Sequence, residues 1–212
     1  MPDIIEVISD KRLLRPWFSG PSWDMWRAVL KAVYALPMSK REIELFRSVA
    51  GRDPPKKPAR GMVYLRSPPT RIPWPADGHP CGDHGHCRDA AAGEMATVLC
   101  LAWDRALAQI ILRYIRGYFA RAPMLKQLVT RQTQDGLELS NGVDNIVATN
   151  SYRALRGRTL ICVILDEVAF YGGAEAAKSD KDLHAALVPG LATMTGVMLI
   201  GTSRRTSGWA GL

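Results

Sequence analysis

The sequence predicts an α/β protein built on a parallel sheet flanked by helices, and three observations carry that prediction. Six apolar residues, Leu160 to Leu165, run without interruption and end in Asp166-Glu167. A strand reads that way when helices cover both faces of its sheet. Other short apolar runs, Thr97-Val98-Leu99-Cys100-Leu101, Ile146-Val147-Ala148-Thr149 and Gly196-Val197-Met198-Leu199-Ile200, recur along the chain. Helix-type segments lie among them, and strands alternating with helices indicate parallel pairing.

The elements follow in order. Leu13-Arg15-Pro16-Trp17-Phe18 is an aromatic lead-in. Ser22 is placed to cap a helix through Val33, with Trp23, Trp26, Leu30 and Val33 on one packing face. Ser39-Lys40-Arg41-Glu42 has the form of a capping box and opens a second helix through Ile43, Leu45, Phe46 and Val49. Gly51 to Pro58, with three prolines and two lysines, reads as a stiff basic linker. After the strand at 97–101, Asp104 to Phe119 is a helix, apolar at Leu107, Ile110, Ile111, Tyr114 and Ile115. Asp135-Gly136 and Asn141-Gly142 bracket a short strand at Leu137–Leu139. Asn150 to Arg158 is a polar loop before the strand at 160–165. Leu183 to Leu191 is a helix broken near Pro189-Gly190, and 196–200 is the last strand, ending in Gly201-Thr202-Ser203.

Composition narrows the function classes. The chain of 212 residues, 47% hydrophobic, has enough apolar material for a core. No apolar run approaches the roughly 20 residues of a membrane span, and the N-terminus lacks signal-peptide character. A soluble, cytoplasmic protein is expected. Cys100 and Cys162 fall in strands where a thiol acts as a small hydrophobe, so no disulfide framework is expected of the four cysteines. A net charge of +8 favours a polyanionic partner, although the basic residues are spread along the chain.

Ligand chemistry in open α/β sheets gathers at the carboxyl ends of the strands, where Asp166 and Glu167 stand. In a P-loop NTPase the carboxylate closing such a strand, the Walker B aspartate, holds Mg²⁺ against the nucleotide phosphates. A second carboxylate beside it polarises the attacking water as general base. The same pattern also fits a buried strand running into an acidic loop.

Residues 61–90 break the alternation. The stretch Arg66 to Pro75 follows neither period, and the window holds five prolines and three histidines. An irregular region is expected. His79, Cys81, His84, His86 and Cys87 cluster ligand types, yet their spacing is tighter than that of paired zinc motifs. A disordered insertion is a second reading.

Three blocks carry a family resemblance: Leu14 to Gly20, Ala148 to Thr159, and Val163 to Tyr171. Together they resemble the large terminase subunit of tailed bacteriophages, the ATPase that drives viral DNA into the capsid. The resemblance covers residues 11–60 and 93–203, and Leu199-Ile200-Gly201-Thr202-Ser203 looks like that family's coupling motif. It implies a P-loop NTPase-like fold of the ASCE type, with ATP and Mg²⁺ as cofactors. Asp166 would bind Mg²⁺ and Glu167 would activate water. Thr202 and Ser203 would sense the γ-phosphate side, and Arg156, with Arg153 and Arg158, would meet phosphate. The partners implied are double-stranded DNA, the small terminase subunit and the portal protein, with no membrane. The location implied is the host cytoplasm, from a phage or prophage.

The sequence departs from the family where it matters for activity. No G-x-x-x-x-G-K-[ST] loop lies between the basic linker and the strand at 97. Residues 61–90 occupy its place and read as frameshifted: codons for Met62 to Leu65, shifted by one base, are compatible with a tryptophan-led strand. Those for Asp83 to Cys87 are compatible with small apolar residues of a buried helix. The family's nuclease carboxylates have no counterpart after Ser203, which reads as either a second frame change or a truncation. The expected organisation is a helical arm and linker at 1–58 and an incomplete ATPase-like domain at 59–212, inactive in hydrolysis. The alternatives are another P-loop DNA motor or helicase fragment, and a non-catalytic basic module binding zinc or nucleic acid through 61–90.

Overall fold

The computed structural model describes residues 3–59, 61–67, 95–149, 157–167, 180–191 and 198–204. Helix α1 (Ile4–Ser9) starts at a capping box in which the Asp3 carboxylate accepts from the Ile5 and Glu6 amides and Glu6 accepts from the Asp3 amide. The Asp-x-x-Glu spacing announces it in the sequence, where no helix was expected. Ile4, Val7 and Ile8, with Leu14 and Phe18 from the following segment, are buried in the main core.

Ser22 does not cap α2 (Asp24–Val33). Pro21 opens a 3₁₀ turn, Pro21–Trp23, and Trp23 then precedes the helix with no side-chain cap. The proline presets the turn's φ, so Ser22 already sits inside it, away from the extended geometry a cap needs. The expected single face of α2 is divided as well. Trp23 and Leu30 pack toward the main core, and Trp26 joins a small cluster with Ala28, Val29, Ala32 and Phe46. Helix α3 (Lys40–Ala50) supplies Phe46 and keeps the predicted capping box: the Glu42 amide donates to Ser39 Oγ and the Ser39 amide to Glu42 Oε2. Lys31 reaches across from α2 to Glu42 at 2.7 Å. The linker after α3 is tied back to α2, the Ala59 amide donating to the Val33 carbonyl at 2.7 Å.

The expectation of an irregular 61–90 is overturned at its start. Gly61–Ser67 is strand β1, and it pairs in parallel with β7 (Met198–Arg204). Met62-Val63-Tyr64-Leu65 has the β-branched and aromatic character that favours a pleated surface, whereas the aperiodic, proline-rich stretch begins only at Arg66. The remainder of that window, with the histidines and cysteines considered for zinc, lies outside the described residues.

Strand β2 (Ala96–Ala102) runs directly into α4 (Arg105–Arg121), whose first turn is capped by Asp104 accepting from the Leu107 amide at 2.7 Å. A single turn, Pro123–Lys126, leads to β3 (Val129–Gln132), β4 (Gly136–Leu139) and β5 (Val143–Thr149). Strand β6 is Thr159–Leu165, and α5 is Asp180–Leu191. Helix α5 is not broken at Pro189. Leu183, Leu187 and Leu191, spaced four apart, are buried against β2 and β6. At about 1.5–3 kcal/mol for each buried leucine, they outweigh the roughly 3 kcal/mol of an internal proline.

Among the described residues the sheet has the order β1-β7-β6-β2-β5-β4-β3. The first five strands are parallel, as the alternation predicted, and β4 and β3 extend the sheet antiparallel. Every residue of β2 is buried. Its residues alternate between two cores: Val98, Cys100 and Ala102 face α4 and α1, and Leu99 and Leu101 face α5. Gly190 allows that second contact to be close, since a Cβ there would lie 2.9 Å from Leu160 Cδ1 and 3.1 Å from the Arg158 carbonyl.

Candidate functional site

The apolar run of β6 is buried through to Leu165, and the chain meets partial exposure at Asp166. The Asp166 amide donates to the Leu101 carbonyl at 2.9 Å, extending the β6–β2 ladder by one residue. The Asp166 backbone is thus fixed where the two central strands end. Its charge reaches the buried Cys100 thiol, whose pKa is raised first by burial and then by Asp166. Glu167 follows with φ at 53°, left-handed for a residue that has a Cβ. Such a conformation costs on the order of 1–3 kcal/mol and persists only where the surroundings impose it. The turn at 166–167 is strained and stands at the carboxyl edge of the sheet.

Strand β7 brings a second predicted segment to the same edge. Leu165 is opposite Gly201, and Thr202 and Ser203 are opposite Leu65 and Arg66 of β1. Asp166 therefore leaves β6 one register step beyond Gly201, at the level of Thr202. The sequence put the strand's end at Ile200, but pairing continues through Arg204, so Thr202 and Ser203 lie within the strand. Strand β1 supplies the extra pairing, with Leu65, Arg66 and Ser67 opposite Thr202, Ser203 and Arg204. Strand β1 ends on this edge too, and so does β2, which delivers the start of α4 there.

Arg156 and Arg153 lie outside the described residues. Arg158 immediately precedes β6, at the opposite end of that strand from Asp166, and lines a cleft of about 610 Å³ between α4 and β5. Arg105, Gln109, Asn145 and Thr149 line the same cleft, which contains neither Asp166 nor Glu167. Asp144, also on its wall, has its pKa raised by burial and then by Glu138 directly opposite on β4, against the opposing pull of Arg158 and Arg131.

Trp17 and Trp23 are packed among aromatics. Trp17 meets Tyr118 edge-on at 5.4 Å, and Phe18 meets Trp23 at 4.9 Å. Among the described residues no group of three or more His, Cys, Asp or Glu is gathered for a metal, and no helix is long and apolar enough to cross a membrane. Sequence reading missed β1, for which the run Met62 to Leu65 was the available signal. Of the apolar positions noted on α4, Ile110 and Tyr114 are 42% and 45% exposed.

No family model matches the sequence, and no curated protein is similar to it at the sequence level. Some solved structures align with it by fold. The large terminase of bacteriophage HK97 aligns at 20% identity and a TM-score of 0.42, over 52% of this chain and 22% of that one. The large terminase ATPase domain of Thermus phage P74-26 aligns at 16% identity and a TM-score of 0.40, over 90% of this chain and 71% of that one. A point mutant of the same domain gives the same identity and TM-score. The chain thus spans about a fifth of the HK97 protein.

Proposed function

We propose that this chain is an ATPase-type domain of the phage large terminase kind, carrying the metal-binding edge of that site without the loop that grips the triphosphate. The observation that carries this reading is the position of Asp166 and Glu167. They stand at the carboxyl end of a central parallel strand, with β7 inserted between that strand and β1. The sequence blocks around Ala148–Thr159 and Val163–Tyr171 support the same family.

The fit to ATP and Mg²⁺ is divided. Asp166 offers hard carboxylate oxygens, the ligand type Mg²⁺ takes, and one or two such side chains suffice when phosphates complete the shell. Nothing in the sequence supplies the phosphates' own cradle, because no glycine loop with its lysine follows β1. Positioning and charge stabilisation account for nearly all of phosphoryl-transfer catalysis. On this reading Asp166 holds the metal, Glu167 orients water, and Thr202, Ser203 and Arg156 face the phosphate side. Hydrolysis is lost with the missing grip. Duplex DNA, the small terminase subunit and the portal protein are the partners of the same proposal.

The test is ATP turnover and nucleotide affinity of the chain beside its Asp166→Ala, Glu167→Ala double variant. No difference between them is expected. Replacing the segment after β1 with a G-x-x-x-x-G-K-[ST] loop and helix is expected to restore nucleotide binding. Hydrolysis by the unaltered chain that Glu167→Ala abolishes would overturn the claim that the grip is missing.

A further inference from the structure

The outward face of α4 has a composition that the fold does not require. The helix carries Arg105, Arg113, Arg116 and Arg121 and no acidic residue in its 17 positions. Arg116 is used internally, donating to the Thr133 and Gln134 carbonyls at the β3–β4 turn. Arg113 and Arg121 are exposed and have no ion pair among the described residues, whereas Arg105 lines the cleft beside β5. Ile110 and Tyr114, also exposed, share this face.

Gly117 sits on the outward side between Arg113 and Arg121, one helical turn from each. A Cβ built there meets nothing within 4 Å. Glycine weakens a helix interior relative to alanine, and no packing within the described chain demands it. Its effect is a shallow spot on the helix surface, flanked along the axis by two guanidinium groups. An arginine fork suits phosphate oxygens, and a helix backbone without a side chain permits close approach.

We propose that this face of α4 is a contact surface for the phosphate backbone of duplex DNA, with Arg113 and Arg121 straddling a phosphate group over Gly117. Charge complementarity selects the partner: an acid-free arginine face on a chain of net charge +8 fits a polyanion. The surface gives the DNA of the proposed function a place on this chain. It does not depend on nucleotide hydrolysis, so the two fail separately: the ATP assay tests one and DNA affinity the other.

The experiment is fluorescence anisotropy of the full chain with a labelled DNA duplex of mixed sequence, titrated from about 50 to about 200 mM salt. Arg113→Ala/Arg121→Ala is expected to weaken binding at least tenfold at low salt. The slope of log affinity against log salt should shrink by about 0.9, the value for one lost phosphate contact. Gly117→Glu, which places a carboxylate in open space, should weaken binding similarly with unchanged near-UV circular dichroism. Lys11→Ala/Arg15→Ala removes the same charge from exposed positions elsewhere and should retain most of the affinity. No binding by the unaltered chain, equal losses in the charge control, or self-association through this face in sedimentation would each overturn the proposal.

Discussion

The central strands β2 and β6 and the antiparallel flank β4–β3 belong to one sheet, yet they are held by different forces. Each residue of β2 is buried, and β6 is buried from Leu160 to Leu165. The two strands carry their apolar side chains into cores on both faces. Strand β3 is largely exposed, and its pairing with β4 includes an ion pair, Arg131 to Glu138 at 2.6 Å. Next in that row stands Asp144, a like charge opposite Glu138. Burial on two faces gives the centre a large non-directional stabilisation. The flank buries one face only, through Leu137 and Leu139 of β4, and its outer strand β3 relies on cross-strand pairs worth tenths of a kcal/mol to about 1 kcal/mol each. A site that needs fixed carboxylates is therefore better placed at the end of β6 than anywhere on the flank.

Substitutions can break that contrast in order of effect. Leu99→Ala removes a side chain with no exposure from the α5 side of β2. A loss of about 2–5 kcal/mol is expected in urea unfolding, and a loss below about 1 kcal/mol would mean the centre is no better packed than the flank. Gly190→Ala presses a methyl group onto Leu160 and the Arg158 carbonyl. Overpacking of this kind costs about 1–3 kcal/mol, read as a lowered denaturant midpoint; an unchanged midpoint would show that α5 rides loosely on β6.

Asp144→Asn tests the flank and has the smallest effect. The Asp144 pKa is raised in the folded state, by burial and then by Glu138. The folded protein therefore holds this proton more tightly than the unfolded chain does. The stability from that proton is present below the ordinary aspartate range and is lost as pH rises through the raised value. The substituted amide has no charge to bury, so the variant should gain stability at pH 7 and gain none in acid. Thermal melts at both pH values check the sign, and an equal shift at both would remove the electrostatic account.

Particular residues show what was legible in the sequence. The centre was readable because uninterrupted apolar runs, Leu160 to Leu165 and Val98 to Leu101, have few other uses in an α/β chain. Asp166 and Glu167 were readable for the same reason, as the first charges after such a run. Helix α4 was found, but hydrophobicity alone does not separate packing from display, and of its apolar positions Ile110 and Tyr114 are exposed. Strand β1 was overlooked because it is only seven residues long and leads into a proline-rich stretch that dominated the reading. Ser22 and Pro189 were misjudged where a neighbour decided the outcome: Pro21 started a turn early, and three packed leucines held the last helical turn together. Arg156 was a reading from motif, and pairing and burial of the described strands do not bear on it.

The seating of β1 has a consequence for how the chain acquires its shape. Its hydrogen-bonding neighbour in the sheet is β7, with Gly61 opposite Met198. During synthesis the earliest of the described strands must therefore wait for the latest. Contacts so distant along the chain are the slowest to form, because the intervening loop entropy is lost before any pairing offsets it. Until residues 198–204 leave the ribosome, Met62-Val63-Tyr64-Leu65 has no partner strand to accept it, and an unpaired apolar strand is a template for aggregation. A nascent polypeptide stalled short of Met198 would be a client for chaperones, and release of the β7 segment would be the event that completes the sheet.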